Sequence, residues 1–237
     1  MNKRRQWIRC LAYINETLCS NNIQALKFLL RWISNVVKGV KNQSAVYFKT
    51  EQQGAGKSTL WEIIVNRVIG KSLGLICGSD PIKSNFNSIL GGKILVVFEE
   101  LENFSKNEWT VISTRLKRWI TSDSITLEKK GIDSYDADNL NNYVAISNND
   151  AIKDEQGRRY FILDVSALHV GDRAYWDDLY ATCHNDSFGG CALFIFVRSR
   201  HNRLKLARFP IDREQKGCIF EAIGQGARVL ERRICLV

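Results

Sequence analysis

Apolar residues Ile23, Leu26, Leu30, Ile33 and Val37 recur at helical spacing, preceded by cap-competent Asn21 and Asn22 and followed by Gly39. This pattern predicts an N-terminal amphipathic helix over 23–37, whose stripe packs on the core; docking on a neighbouring subunit is its alternative use. A short β-like run, Ala45-Val46-Tyr47-Phe48, comes next. It leads into the polar loop Glu51-Gln52-Gln53-Gly54-Ala55-Gly56-Lys57-Ser58 and a helical stretch from Thr59 to Ile69, ended by Gly70. Ile94-Leu95-Val96-Val97-Phe98 runs straight into Glu99-Glu100, and Tyr143-Val144-Ala145-Ile146-Ser147 ends at Asn148. After Arg158-Arg159, Tyr160 to Val165 reads as a further strand, and Ala192 to Val197 is the one apolar run of the tail. Uninterrupted apolar strands belong in a sheet covered on both faces, so the pattern predicts a three-layer αβα core with a largely parallel sheet. The predicted organisation is an N-terminal helical segment over 1–43, a core over 44–197 and a basic C-terminal segment over 198–237.

At 237 residues the chain has room for one sizeable α/β core and a small appendage. A composition of 45% hydrophobic and 25% charged residues with two prolines, and no low-complexity tract or repeat, excludes a largely disordered chain. No apolar run approaches the roughly 18–20 residues of a membrane span, and the basic start at Lys3, Arg4 and Arg5 lacks an apolar signal region. The expectation is an intracellular, soluble protein with no membrane partner. Cysteines stand at 10, 19, 77, 183, 191, 218 and 235 without a CxxC pair, which predicts buried free thiols rather than a zinc site or disulfide framework. Cys183 and His184 are neighbours in sequence and nothing nearby completes a nucleophilic triad.

The net charge of +9 is unevenly spread: residues 1–41 carry eight Lys/Arg against one acid and residues 193–237 ten against four. The middle is slightly acidic, with sixteen against twenty. Basic arms suit a polyanionic partner, nucleic acid above all, although solubility also accounts for surface lysines.

Chemistry concentrates in Gly54-Ala55-Gly56-Lys57-Ser58-Thr59, set between a strand and a helix. Glycines let backbone N–H groups converge on phosphate oxygens, the helix offers its positive end, Lys57 reaches the terminal phosphates and Ser58 supplies a hydroxyl to Mg²⁺. The full pattern wants glycine at position 51, where Glu51 stands. At the tip of the second strand Glu99 can hold Mg²⁺ through its water shell while Glu100 orients and activates the attacking water. The bland alternative is a solvated acidic turn. Asn148 can position the lytic water or touch the γ-phosphate without adding charge; the alternative is an ordinary Asn-Asn-Asp turn. Arg158 and Arg159 either stabilise a transferring phosphoryl group, particularly one bound by an adjacent subunit, or form a surface basic pair.

The order of these motifs over residues 44–197 resembles the superfamily 3 helicases of small DNA viruses and, more closely, the helicase part of phage, plasmid and poxvirus-type primase-helicases. GAGKST (54–59), ILVVFEE (94–100), the basic stretch from Leu116 to Gly131, VAISN (144–148) and RRY (158–160) carry the likeness. The resemblance implies an AAA+-like P-loop NTPase core, with Lys57 and Ser58 as Walker A residues, Glu99 and Glu100 as the Walker B pair and Asn148 as the sensor. It implies Arg159, with Arg158 as fallback, as an arginine finger acting on a neighbouring subunit. It further implies a DNA-contacting hairpin between Walker B and sensor, with Lys129, Lys130 and, unless it lies on a helix, Lys117 as the contacts. ATP and Mg²⁺ would be the cofactors. Single-stranded or forked DNA, further copies in a hexameric ring, and a separate primase or polymerase would be the partners. Two other classes remain open: a P-loop small-molecule or nucleotide kinase, and a non-catalytic DNA-binding relative whose nucleotide site has decayed, for which Glu51 is the hint.

Overall fold

The computed structural model describes residues 3–101, 104–149, 151–152 and 158–183, with side chains from Gln6 onward. In chain order the elements are α1 (Lys3–Tyr13), α2 (Ile23–Val37), β1 (Ala45–Lys49), α3 (Thr59–Ile63), β2 (Gly74–Cys77), α4 (Asp80–Lys83) and β3 (Leu95–Phe98). These are followed by α5 (Lys106–Thr121), β4 (Ser124–Lys129), β5 (Ile132–Asp138), β6 (Asn142–Ser147), β7 (Tyr160–Asp164) and α6 (Arg173–Cys183). Wider π turns carry α1 on through Ile14–Leu18 and α3 through Ile64–Ile69.

Five parallel strands form the main sheet in the order β2-β3-β6-β1-β7, and β4 and β5 pair as a separate antiparallel hairpin. The period of two along each strand divides the core. Val46, Phe48, Leu95, Val97, Val144, Ile146 and Leu163 face the layer of α1, α2, α3 and α6. Ala45, Tyr47, Val96, Phe98, Tyr143 and Ala145 face α5 and the hairpin through Leu116, Trp119, Ile120, Ile125 and Leu127. The three-layer αβα architecture expected from the apolar runs is therefore present.

Helix α2 has the predicted bounds, and the reason is visible at its start, where Asn22 Oδ1 accepts from the N–H groups of Gln24 and Ala25. Leu26, Leu29 and Ile33 are buried in the same core as β1, so the stripe packs inward, as expected. A second N-terminal helix, α1, precedes it and enters the same core through Leu11, Tyr13 and Ile14. Helix α5 opens with a reciprocal capping box, Ser105 with Glu108. Among the described residues no helix is long and apolar enough to cross a membrane. Cys10, Cys19 and Cys183 are buried free thiols and Cys77 is a half-buried one. His184, Cys191, Cys218, Cys235, the run Ala192 to Val197 and the basic segment 198–237 lie outside the described residues.

Trp61 ties the phosphate loop's helix to the rest of the core. Its ring meets Trp32 of α2 edge-on at 5.9 Å and Phe48 of β1 at 5.6 Å, fully enclosed. Trp61→Ala is expected to lower the unfolding free energy by about 3–5 kcal/mol, the usual cost of an aromatic-sized core deletion, measured by denaturant titration.

Candidate functional site

β1 delivers the chain at Lys49 to the glycine loop, where Gly54 and Gly56 hold φ of +74° and +80°. A side chain is strained in that region, so these two glycines set the loop's path. The loop closes at Ser58, the first cap of α3, whose hydroxyl makes no capping hydrogen bond. Lys57 is 8% exposed, and its Nζ donates to Asn148 Oδ1 at 2.6 Å and, at longer range, to the carbonyls of Thr50 (3.4 Å) and Gln52 (3.5 Å). Burial lowers the Lys57 pKa. All of these partners are neutral oxygens, a setting in which an approaching polyphosphate gains strongly from the buried cation.

Asn148 reaches Lys57 because β6 lies beside β1, in a register that pairs Lys49 with Ser147. On the other side of β6, β3 pairs Phe98 with Ala145. The C-terminal ends of three adjacent strands thus present the P-loop, the asparagine and Glu99-Glu100 along one edge, where open α/β sheets place their ligands. Glu99 continues the ladder, its N–H donating to the Cys77 carbonyl at 2.9 Å. Its Oε1 is enclosed with no hydrogen-bond donor among the described residues, an arrangement suited to a cation or its bound water. Asp80 stands near as well: burial, then the carboxylates of Asp80 and Glu99, push the Cys77 thiol up to about 11. Glu100 is exposed and sits at φ +53°, strained for a residue with a Cβ. Among the described residues no three His, Cys, Asp or Glu side chains converge as a metal cage. Ser58 and Glu99 can therefore be only part of a Mg²⁺ shell, the rest being phosphate oxygens and water, the usual habit of this ion. Glu51, the departure from the glycine pattern, is exposed.

Arg158 and Arg159 are not brought to this site. The Arg159 carbonyl accepts from the Ala45 N–H at 2.8 Å, which fixes the pair at the start of β1 and β7. The P-loop leaves the far end of β1, roughly 17 Å away at the rise of a five-residue strand. Arg158 is exposed and Arg159 half-buried, and from there neither serves its own chain's P-loop. Lys129 ends β4 and Lys130 forms the hairpin turn with Gly131, both exposed. Positive charge is confined to that tip, since β5 carries Asp133, Asp136 and Asp138. Lys117 lies half-buried on α5 and not on the hairpin.

Sequence reasoning missed three aromatic residues that touch the P-loop. The Tyr13 hydroxyl donates to the Gly56 carbonyl at 2.6 Å, and the Tyr180 hydroxyl lies 3.3 Å from Thr59 Oγ1. A Cβ on Gly56 would come within 2.1 Å of the Trp176 ring. A signal existed: Tyr175, Leu179 and Cys183 recur at helical spacing and are buried. The N-terminal basic arm also reads differently in three dimensions. Arg9 pairs with Asp178 at 2.7 Å, Lys38 donates to Ser34 Oγ at 2.7 Å, and Lys41 donates to the Trp119 carbonyl at 2.9 Å. Part of that charge bonds within the fold: Arg9 links α1 to α6, and Lys41 reaches α5 on the other face of the sheet. A cleft of about 690 Å³ between α2 and β7, floored by the stacked rings of Phe28 and Phe161, contains none of the expected site residues.

Comparison with known proteins bears on the fold. A protein-family profile described as a family of unknown function (DUF5906) matches residues 48–159, from the end of β1 to Arg159. The C-terminal region of the protein from phage NrS-1 superposes with a TM-score of 0.67 at 18% identity, over 91% of this chain and 51% of that one. JCV helicase superposes with a TM-score of 0.52 at 13% identity, over 98% and 61%. The fold is the one shared with the NrS-1 C-terminal region and with JCV helicase. In sequence, the DNA primase-polymerase of Nitratiruptor phage NrS-1 is 18% identical over 156 residues. That match takes in 65% of this chain and 21% of the relative, so the helicase-type fold here spans about a fifth of the curated relative and half of its solved C-terminal region.

Lys57 also makes a stability prediction for this fold. Burial disfavours its charged form, so the cost is fully present at pH values below its lowered pKa and fades as pH rises toward the ordinary 10.5. Lys57→Met is expected to raise the denaturation midpoint at pH 7, by a margin that narrows as the pH approaches 10.5. Denaturant titrations across that range check both the sign and the narrowing.

Proposed function

We propose that the chain is the ATP-hydrolysing motor of a DNA helicase or translocase in viral, phage or plasmid replication, working at the subunit interfaces of a homo-oligomeric, hexameric ring. The observation that carries this reading is the 2.6 Å bond from Lys57 to Asn148, made at the strand edge that also bears Glu99 and its undonated oxygen.

In this reading Gly54, Ala55, Gly56 and Thr59 turn backbone N–H groups onto the phosphates. Lys57 exchanges neutral oxygens for the β- and γ-phosphates, which lets Asn148 turn to the γ-phosphate or the lytic water. Mg²⁺, held by Ser58 and Glu99 with phosphate oxygens and water, would neutralise charge on the triphosphate. Glu100 takes the proton of the attacking water, its strained backbone consistent with a functional position. Arg159, with Arg158 as fallback, serves the P-loop of the next subunit, an assignment favoured by its distance from its own. Lys129 and Lys130 at the hairpin tip meet phosphates of single-stranded or forked DNA, so little sequence preference is expected. The NrS-1 relative is a DNA primase-polymerase, which supports a partnership with priming or polymerising activity, whether on the same or a separate chain.

Two measurements test the reading. Lys57→Ala is expected to cut ATP hydrolysis by about 10²–10³-fold, on the scale of removing one preorganised charge-stabilising group. An unchanged rate would contradict it. Lys129→Ala with Lys130→Ala is expected to bring the ratio of DNA-stimulated to basal hydrolysis toward one and to reduce the salt slope of DNA binding by about 2. Stimulation and slope both intact would remove the hairpin from the DNA path.

A further inference from the structure

Two aromatic side chains one turn apart on α6, Trp176 and Tyr180, share a helix face and meet the P-loop on either side of Lys57-Ser58: Trp176 at Gly56, Tyr180 at Thr59. Trp176 packs against the core of the helical layer, yet neither side chain is fully buried. Trp176 is only half-buried and Tyr180 is 39% exposed, beside a loop that glycine keeps open. The indole is nevertheless held in place. Its Nε1 donates to the His169 carbonyl at 2.8 Å, Tyr13 meets it edge-on at 5.9 Å, and Tyr175 meets it edge-on at 5.3 Å. Tyr13 in turn donates to the carbonyl of Gly56, the residue the indole abuts.

The orientation of a nucleotide in such a loop follows from the phosphate contacts. Lysine takes the terminal phosphates, and backbone N–H groups at the start of the helix take those nearer the nucleoside. Lys57 faces Asn148 and the sheet edge, which sets the terminal end of the chain of phosphates there. Gly56 and Thr59, which flank Lys57-Ser58 in the loop, are the residues α6 touches, so a nucleoside held by the near phosphates would have α6 beside it. A fixed indole with a phenol beside it, in that position, offers a surface on which a flat base stacks, and stacking is stronger for the larger purine rings.

Resting on the nucleotide-site reading above, we infer that Trp176, flanked by Tyr180, forms the base-side wall of that site and takes the nucleobase of a nucleoside triphosphate, purine in preference to pyrimidine. Recognition at this wall is by ring area and not by a hydrogen-bond code, so ATP and GTP bind more tightly than CTP. The phosphates are bound separately, by the loop itself.

That separation supplies the test. Calorimetric titration of the full chain with ATP, CTP and inorganic tripolyphosphate is compared for the unaltered protein, Trp176→Ala, Trp176→Phe and Tyr180→Ala. Trp176→Ala is expected to weaken ATP by about 10-fold and to narrow its advantage over CTP, with tripolyphosphate binding unchanged within twofold. Trp176→Phe retains most of the ATP affinity, and Tyr180→Ala gives a smaller loss with the same pattern. Parallel weakening of ATP and tripolyphosphate would make the indole a prop for the loop. Tightening of both would make it an occluding residue, and no change would make it a bystander; each of these overturns the base wall. Tripolyphosphate binding by the unaltered chain with no gain for ATP removes the base wall alone, whereas binding of neither removes the phosphate site with it.

Discussion

The arrangement depends on a buried ammonium that the fold holds against neutral oxygens. Lys57 is enclosed beyond the tip of β1, and the sheet gives it Asn148 from the adjacent strand and, among the described residues, no carboxylate at bonding distance. Desolvating a lysine disfavours its charge, and the lowered pKa records that cost. The cost is tolerable because the hydrogen bonds partly compensate, and it makes an anion the species that relieves the site most. Function and stability oppose each other at this residue, a common condition of sites that bind charge.

Parallel strand order turns that local feature into a site. With β6 inserted between β1 and β3, three loops far apart in sequence leave the sheet side by side. Glu99 brings an enclosed oxygen without a donor, Glu100 a left-handed backbone, and Asn148 a neutral amide. Opposite roles are set at opposite ends of the same strands. The arginines before β7 sit at the far end, a strand's length from the glycine loop of the same chain. The acids along β5 likewise restrict the hairpin's positive charge to its turn.

Much of this was legible from residues alone, for identifiable reasons. β1, β3, β6 and β7 are central or long enough to be uninterrupted apolar runs, and α2 carries both a cap and a stripe. The placement of residues 54–59, the paired glutamates and Asn148 at strand ends was readable because each follows such a run directly. β2 escaped notice because four residues at the sheet edge carry too little pattern, and the site's Asp80 lies just beyond it. α5 was signalled by Ser105-x-x-Glu108, a capping box that the apolar runs overshadow. The β4–β5 hairpin was expected only through the family resemblance, because β5, exposed at every residue but Ala137, carries too little apolar pattern to show it. Trp176, Tyr180 and Tyr13 could not be assigned to the P-loop from spacing, since α1 and α6 are brought to it only by long-range packing, in which the Cys10 and Cys183 thiols meet between the two helices. The N-terminal charge excess also serves the fold itself: Arg9, Lys38 and Lys41 bond within it.

The most direct test of one shared triphosphate and metal site is a crystal structure of the chain with Mg²⁺ and a non-hydrolysable ATP analogue. The expected result has Lys57 Nζ within about 3.2 Å of the terminal phosphates and Ser58 and Glu99 facing a single metal ion, directly or through its water. An analogue bound in the cleft between α2 and β7, or a metal ion remote from Glu99, would contradict it.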